Sequence, residues 1–236
     1  MNEYISILKT SDMFSGIKEE EILAMIRCLS ARVSHYKKNE YILRNGEPVH
    51  SVGMVLSGLA LVEKVDLWGN RTIIQEIIPG MIFAESYACL SQVPVETSVL
   101  ASTDSSIMFF NISRLLTVCT SACNFHTRII QNLLGTIAQK NVSLTKKMDY
   151  MTKKTIRERL LSYLSTESLK AGSSSFTITF DRQELADYLS VDRSALSNEI
   201  SKLQKEGILS SQKKEFHIYK HSNDSIDIFQ QKIFSQ

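Results

Sequence analysis

Short runs of apolar and β-branched residues, each followed by a turn signal, fill residues 41–112. Gly46, Gly58, Gly69 and Gly80 separate these runs at intervals of twelve, eleven and eleven residues. Regular short strands with a glycine at each turn are typical of an antiparallel barrel or roll. The pattern therefore predicts an antiparallel β-roll, of the double-stranded β-helix or jelly-roll kind, after a short helix at about residues 19–29.

The spacing of apolar residues becomes helical near residue 124 and predicts one long helix over 124–151. Seven residues recur along it in steps of three or four: Ile130, Leu133, Ile137, Asn141, Leu144, Met148 and Met151. A heptad stripe favours pairing with a second helix, and one buried Asn can fix the register. We predict a homodimer through this seam. The alternative is that the helix packs only on its own domain and leaves Asn141 exposed.

Two short helices joined by a tight turn are predicted near the carboxyl end. Asp181 stands where an N-cap is expected and forms a capping box with Glu184, and Asp192 caps the second helix. The second helix has Leu196 and two further apolar residues on one face. Its other face is polar and begins with Arg193. The sequence that follows reads as a two-stranded wing with lysines at its tip.

A polar helix of this kind suits the DNA major groove, where Arg pairs bidentately with guanine and Asn with adenine. Arg193 and Asn198 are therefore candidates for reading bases. Residues placed for the DNA backbone are Ser197, Ser201, Lys202, Lys213 and Lys214. The predicted organisation is α+β, with a β-roll over 1–123, a dimerisation helix over 124–151 and a winged helix–turn–helix domain over 152–236.

Charge is unevenly divided along the 236 residues. Residues 1–127 hold ten Lys and Arg against thirteen Asp and Glu, giving −3, and residues 128–236 hold seventeen against twelve, giving +5. A basic half favours a polyanionic partner, although ordinary surface variation also produces an imbalance of this size. With no long apolar run, no secretory signal and only four scattered cysteines, we expect a reduced, cytoplasmic protein without a membrane partner.

The stretch RQELADYLSVDRSALSNEISKLQKEGIL resembles the winged helix–turn–helix of the Crp/Fnr family of bacterial transcription regulators. The resemblance covers nearly the whole chain and implies a cyclic-nucleotide-binding-like roll. It also implies a homodimer on an inverted-repeat operator in double-stranded DNA, with RNA polymerase as a partner if the protein is an activator. By similarity, Arg193, Ser194 and Asn198 fall on base-reading positions, and Gln183 falls on a position that contacts the DNA backbone.

Family members that bind cyclic AMP hold the ribose with the Glu of a Gly-Glu-Leu segment and the phosphate with an Arg-Ser pair. In this chain Glu85 remains, but Ala84 replaces the glycine, and Val95 and Glu96 stand where the arginine is expected. Because the charge-assisted pair with the phosphate is missing, the resemblance argues against cyclic AMP and leaves any small-molecule effector unknown. The matching pocket comprises Glu85, Ser86, Glu96, Thr97, Asn141, Leu144 and Thr145.

Cysteine and histidine chemistry offers an alternative signal. The closely spaced amino-terminal cysteines of the family's iron–sulfur branch are missing, since no cysteine precedes Cys28. Cys119 and Cys123 stand at helical spacing from His126, and Cys89 lies elsewhere on the roll. These residues could hold a soft metal or act as a redox switch, or be small buried apolar side chains. Scattered histidines and the lack of a P-loop or nucleophile elbow argue against an enzyme such as a cupin.

Overall fold

The computed structural model describes residues 2–90, 93–111, 113–114 and 124–219, in two compact units that divide between residues 148 and 149. The first unit begins with helical segments, which are two 3₁₀ turns and two α-helices: Asn2–Tyr4, α1 (Ile5–Thr10), Asp12–Phe14 and α2 (Glu19–Cys28). The predicted division set the long helix apart from the roll, whereas the compact unit includes that helix up to Met148.

Two four-stranded antiparallel sheets form the roll, as the sequence predicts. Their strands are β1 (Arg32–Tyr36), β2 (Tyr41–Leu43), β3 (Ser51–Ser57), β4 (Ala60–Val65), β5 (Arg71–Ile77), β6 (Ile82–Phe83), β7 (Ser98–Ala101) and β8 (Ser105–Asn111). One sheet has the order β1-β8-β3-β6 and the other β2-β7-β4-β5. A short helix, α3 (Glu85–Leu90), follows β6 directly and was not predicted.

The glycines between the strands explain why the turns occur where they do. Gly46, Gly58, Gly69 and Gly80 all have φ between +83° and +87°, a conformation that other residues rarely adopt. Gly58 is doubly constrained, because a Cβ there would lie 2.3 Å from Ser105 Oγ. The regular glycine spacing in the sequence therefore reports a real requirement for left-handed turns.

The long helix, α4 (Asn124–Met151), presents one face to the core of its own unit. Leu133 is 3% exposed in that core, and Ile137 packs against the same cluster. The predicted seam is therefore wrong at Leu133, since its side chain is already covered by the same chain, whereas Ile137 is only half-buried and its place in the seam stays a prediction. Two seam residues stay exposed, Leu144 (44%) and Met148 (67%), and so do two apolar residues one position after seam residues, Leu134 (68%) and Val142 (56%).

The second unit continues with α5 (Ile156–Ala171), β9 (Ser175–Thr177), α6 (Arg182–Leu189), α7 (Arg193–Lys205), β10 (Leu209–Gln212) and β11 (Glu215–Ile218). A three-stranded sheet in the order β10-β11-β9 packs with the helices around a core that includes Phe180, Leu185, Leu196 and Leu203. Gly172 ends α5 with φ +61°, the left-handed conformation that favours glycine at a helix end. No helix within the described ranges is both long and apolar enough to cross a membrane.

Candidate nucleic-acid interface and roll site

Side-chain caps fix the two short helices, as the sequence predicts. The Asp181 carboxylate accepts from Glu184 N at 2.8 Å, and the Glu184 carboxylate accepts from Asp181 N at 2.8 Å. Asp192 Oδ1 accepts from Ala195 N at 2.9 Å and so caps α7. Between the helices, Ser190 adopts φ +49°, which turns the chain sharply enough for α7 to begin three residues later.

A second support for this turn comes from Arg159 on α5, which sequence reasoning missed. Its guanidinium Nη1 lies 3.3 Å from both the Leu189 and Ser190 carbonyl oxygens, which are left without helical partners at the end of α6. A cation that donates to the last carbonyls stabilises a helix end. In the sequence Arg159 is one arginine in a predicted helix, and nothing nearby indicates its partners. Its contacts lie 30 and 31 positions further along the chain, so only the fold reveals them.

The two faces of α7 differ sharply in burial. Leu196, Ile200 and Leu203 are at most 3% exposed and fix the helix on its domain. Arg193, in the first turn of the helix, and Asn198 are both exposed. Ser194 is also exposed, but its hydroxyl donates to Asp192 Oδ1. The three residues expected to read bases are therefore all exposed, and their role stays a prediction.

The residues expected on the DNA backbone are less uniform. Gln183 donates from Nε2 to Asp187 Oδ1 at 2.8 Å, so its amide is held in a fixed orientation. Ser201 donates to the Ser197 carbonyl at 3.0 Å and is exposed. Lys202 lies 3.8 Å from a carboxylate oxygen of Glu199, and its side chain is 67% exposed. Such a pair at the surface is weak and leaves Lys202 free to move to a phosphate.

The wing is a tight hairpin with Lys213 and Lys214 at its tip. Lys213 adopts φ +53° and is exposed, whereas the Lys214 ammonium donates to the Thr179 carbonyl. Arg182 supports the wing from α6, because it donates to Ser211 Oγ at 2.7 Å and lies over the Phe216 ring at 5.2 Å. Burial lowers the pKa of Arg182. The tip therefore carries two cations, of which Lys213 is the freer.

In the roll, Glu85 meets a lysine that sequence reasoning did not single out. Lys140 Nζ on α4 lies 3.0 and 2.9 Å from the two Glu85 carboxylate oxygens and 2.7 Å from the Ile82 carbonyl. The two side chains are only 13% and 6% exposed. Burial lowers the pKa of Lys140, an effect that the Glu85 carboxylate opposes. Both acceptor oxygens of Glu85 are therefore bound by the same chain.

The other residues of the expected effector pocket are mostly exposed. Glu96 is exposed and lies 3.7 Å from Lys64 Nζ. Ser86 is exposed and Thr97 half-buried, while three residues lie on the exposed part of α4: Asn141, Leu144 and Thr145. The Thr145 hydroxyl donates to the Asn141 carbonyl at 3.0 Å, within the helix. Among the described residues, the α4 side chain that hydrogen-bonds Glu85 is Lys140. The pocket predicted from the resemblance stays a prediction at the other positions.

Two further features mark this corner of the roll. Ala84, which stands where the family has glycine, adopts φ +63°, a left-handed conformation that costs an L-residue about 1–2 kcal/mol. Lys147, two turns beyond Lys140, is 9% exposed and donates to the Ile73 and Ile74 carbonyls. Burial lowers the pKa of Lys147 to about 8.

The predicted cysteine cluster falls mostly outside what can be described. Cys119 and Cys123 lie in residues 115–123, beyond the described residues. Cys89 is exposed on α3, and burial of its sulfur together with the Glu85 charge raises the pKa of the thiol. Within the described ranges no group of three metal-ligating side chains comes together. Within the described residues, Cys28 lies beside His126.

Comparison with known proteins matches both units. Residues 33–122 match the model of the cyclic nucleotide-binding domain, and residues 158–221 match that of the Crp-like helix-turn-helix domain. The two matches define a transcription regulator with a nucleotide-binding-type roll and a DNA-binding helix–turn–helix. The chain belongs to the Crp/Fnr family of bacterial transcription regulators.

Its relatives are distant in sequence but share the fold. The transcriptional activator protein anr of Pseudomonas aeruginosa is 24% identical over 197 residues, which cover 81% of this chain and 77% of the relative. The structure of FixK2 from Bradyrhizobium japonicum is 23% identical with a TM-score of 0.64, over 80% of this chain and 93% of that one. The c-di-GMP responsive regulator CLP of Xanthomonas campestris is 18% identical with a TM-score of 0.70, over 85% and 100%.

Proposed function

We propose that the protein binds an inverted-repeat operator as a homodimer and reads its sequence with α7. The observation that carries the proposal is the arrangement of α7. Three buried apolar residues fix the helix, and Arg193 and Asn198 are both exposed on it. Both side chains can make bidentate contacts with a base edge. A contact with RNA polymerase follows if the protein activates transcription.

The homodimer is supported by the exposed stripe of α4. Leu134, Asn141 and Met148 are seven residues apart, and each is exposed in the single chain. A heptad repeat of this kind favours pairing with a second helix, in which Asn141 faces its symmetry mate. Two recognition helices related by a dyad would then meet half-sites about 34 Å apart.

Leu134→Lys tests this stripe, because an unpaired ammonium at the centre of a helix pair opposes association. Sedimentation of the parent at micromolar concentration should give twice the 26.7 kDa chain mass, and the variant should shift toward the mass of a single chain. Lys146→Leu, an apolar substitution at another exposed position of α4, is the control for solubility. A parent that sediments as a monomer would contradict the homodimer.

Base reading is tested with Arg193→Ala on operator and scrambled duplexes by fluorescence anisotropy. The operator is first identified by genomic footprinting. Loss of a bidentate pair with guanine should cost about 1–3 kcal/mol on the operator and little on scrambled DNA. Ser201→Ala, on the same helix, is a milder control. Equal losses on both duplexes would show that Arg193 contacts phosphate and that the base-reading assignment fails.

The roll is proposed not to bind cyclic AMP, since Lys140 already holds the carboxylate that would receive the ribose. A nucleotide would have to break a buried ion pair. Positions 95 and 96 hold Val95 and Glu96, so no arginine there would bind the phosphate and offset that cost. A ligand at a hundredfold excess over its Kd stabilises a fold by about 2.7 kcal/mol. We expect no change in the Tm of the roll with cyclic AMP, and a clear upward shift would contradict this part of the proposal.

A metal- or thiol-responsive function is the second candidate. The alternative set of Cys89, Cys119 and Cys123 gains no support from Cys89, which is exposed and has a thiol pKa raised above the usual value. The specific observation that favours sulfur chemistry involves another cysteine, Cys28.

A further inference from the structure

Cys28 and His126 lie 98 positions apart in the sequence, yet their side chains meet. Cys28 is the last residue of α2, and His126 lies in the first turn of α4. The Cys28 Sγ atom is 3.9 Å from His126 Nε2. Cys28 is exposed, whereas His126 is 6% exposed. A buried imidazole therefore lies beside an exposed thiol.

The hydrogen bonding of His126 is poor for a buried polar side chain. Nδ1 has no hydrogen-bond partner among the described residues, and a contact of 3.9 Å between sulfur and nitrogen is at best a weak hydrogen bond. A buried polar group without a good partner costs about 1–3 kcal/mol. Stacking on Phe125, with ring centroids 5.4 Å apart, accounts for the position of the ring. It does not account for the direction of Nε2 toward the thiol.

A metal ion fits the separation of these two atoms. Typical bonds from zinc are about 2.3 Å to a thiolate and about 2.0–2.1 Å to an imidazole nitrogen. With those lengths, donor atoms 3.9 Å apart subtend an angle of roughly 125–130° at the ion, so the separation is compatible with one ion bound to both atoms. Thiolate and imidazole together select soft or borderline ions such as Cu⁺ and Zn²⁺.

We propose that Cys28 and His126 form a binding site for one soft d¹⁰ metal ion, with Cu⁺ and Zn²⁺ as the candidate ions. On binding, the S–H bond of Cys28 breaks, its proton passes to water, and the sulfur lone pair forms the bond to the metal. Nε2 of neutral His126 donates the second lone pair, which leaves the ring proton on Nδ1. Water completes the coordination on the exposed side of Cys28. The proposal is independent of DNA binding and of the operator.

The test uses the full chain with Cys119→Ser and Cys123→Ser, because these cysteines are close to His126 in sequence. Anaerobic titration with Cu⁺ should show one ion per chain by competition with a chromophoric chelator, together with a thiolate-to-metal absorption band in the ultraviolet. Titration with Zn²⁺ by the same competition compares the two ions. Cys28→Ser and His126→Gln should each weaken binding roughly tenfold or more, and Cys28→Ser should remove the band.

Cys89→Ser is the matched control, since Cys89 is also an exposed thiol and should leave the affinity and the band unchanged. Circular dichroism checks that His126→Gln still folds, and Cys28→Ser carries the test alone if it does not. The proposal is overturned if neither ion binds at one per chain. It is also overturned if Cys28→Ser binds as tightly as its parent, or if Cys89→Ser removes the band.

Discussion

The roll site around Glu85 and the outer face of α7 differ in what their polar groups bind. At Glu85, both carboxylate oxygens and the Lys140 ammonium are satisfied within the chain and shielded from solvent. On α7, Arg193 and Asn198 project from a helix that is held from behind by apolar contacts. When all polar groups of a site are hydrogen-bonded within the chain, removing one of them affects the stability of the fold. Exposed donors on a rigid helix remain available to a partner molecule.

The largest effect is expected from breaking the buried pair. Lys140→Met leaves the Glu85 carboxylate buried without its cation, which should lower the free energy of unfolding by about 3–5 kcal/mol. The double variant Glu85→Leu with Lys140→Met should recover most of the loss, because no uncompensated charge remains. Urea unfolding of the roll measures both.

Lys64→Met serves as the control for this pair, since Lys64 and Glu96 form an exposed ion pair that should contribute less than about 1 kcal/mol. Losses of similar size in Lys140→Met and Lys64→Met would mean that the Glu85 site is not closed in the way described. The contrast with α7 would then disappear.

Burial of Lys147 should make the free energy of unfolding depend on pH. Its pKa is about 8 in the folded chain, against the ordinary lysine value of 10.5 that applies to the unfolded chain. Between these two pH values the unfolded chain therefore binds more protons than the folded chain. The free energy of unfolding should therefore rise with pH from about 8 to about 10.5, by an amount on the order of 1–3 kcal/mol. Lys147→Met should abolish this rise, and Lys146→Met, at the exposed neighbouring position, should retain it. Parallel pH profiles for the parent and Lys147→Met would refute the assignment.

The salt dependence of DNA binding tests the exposed lysines of the wing. Lys213→Ala should weaken operator and scrambled DNA alike and reduce the slope of log K against log salt by about 1. Lys214→Ala should have a smaller effect, because its ammonium already donates to the Thr179 carbonyl. Anisotropy titrations at several salt concentrations distinguish the two. A larger effect at Lys214 would show that the wing rearranges on DNA.

The smallest effect is expected at Ala84. Glycine tolerates the left-handed conformation of this residue, so Ala84→Gly should stabilise the roll by up to about 1 kcal/mol, after the greater chain entropy of glycine is subtracted. Ala88→Gly, inside α3, should instead destabilise it by about 1 kcal/mol. Thermal unfolding of both variants gives the comparison. A loss of stability in Ala84→Gly would mean that the backbone is not strained there.

How much of the architecture could be predicted depended on how local its causes are. Asp181, Glu184 and Asp192 cap helices through contacts with residues three positions away, and the glycines at the strand turns act through their own φ angles. Such features are visible in a short window of sequence. The β-roll, the helix pair and the wing were therefore predictable.

The face of α4 was not predictable in the same way. Its apolar residues cover more than one side of the helix, and periodicity cannot tell a side that packs on the roll from a side that awaits a second chain. The predicted seam accordingly included Leu133, which is buried in its own core, and omitted Leu134, which is exposed. One step round a helix changes the partner, because adjacent residues point about 100° apart.

By itself the sequence determined the positions of the glycine turns between the strands, the caps and turn of the helix–turn–helix, and the polar face of α7. Only the tertiary structure decided that Lys140 closes the Glu85 site and that Cys28 faces His126. The physical reason is distance along the chain. Charges and ligands 55 and 98 residues apart interact only after the fold has brought them within a few ångströms. No local pattern records which of many lysines or cysteines will arrive there.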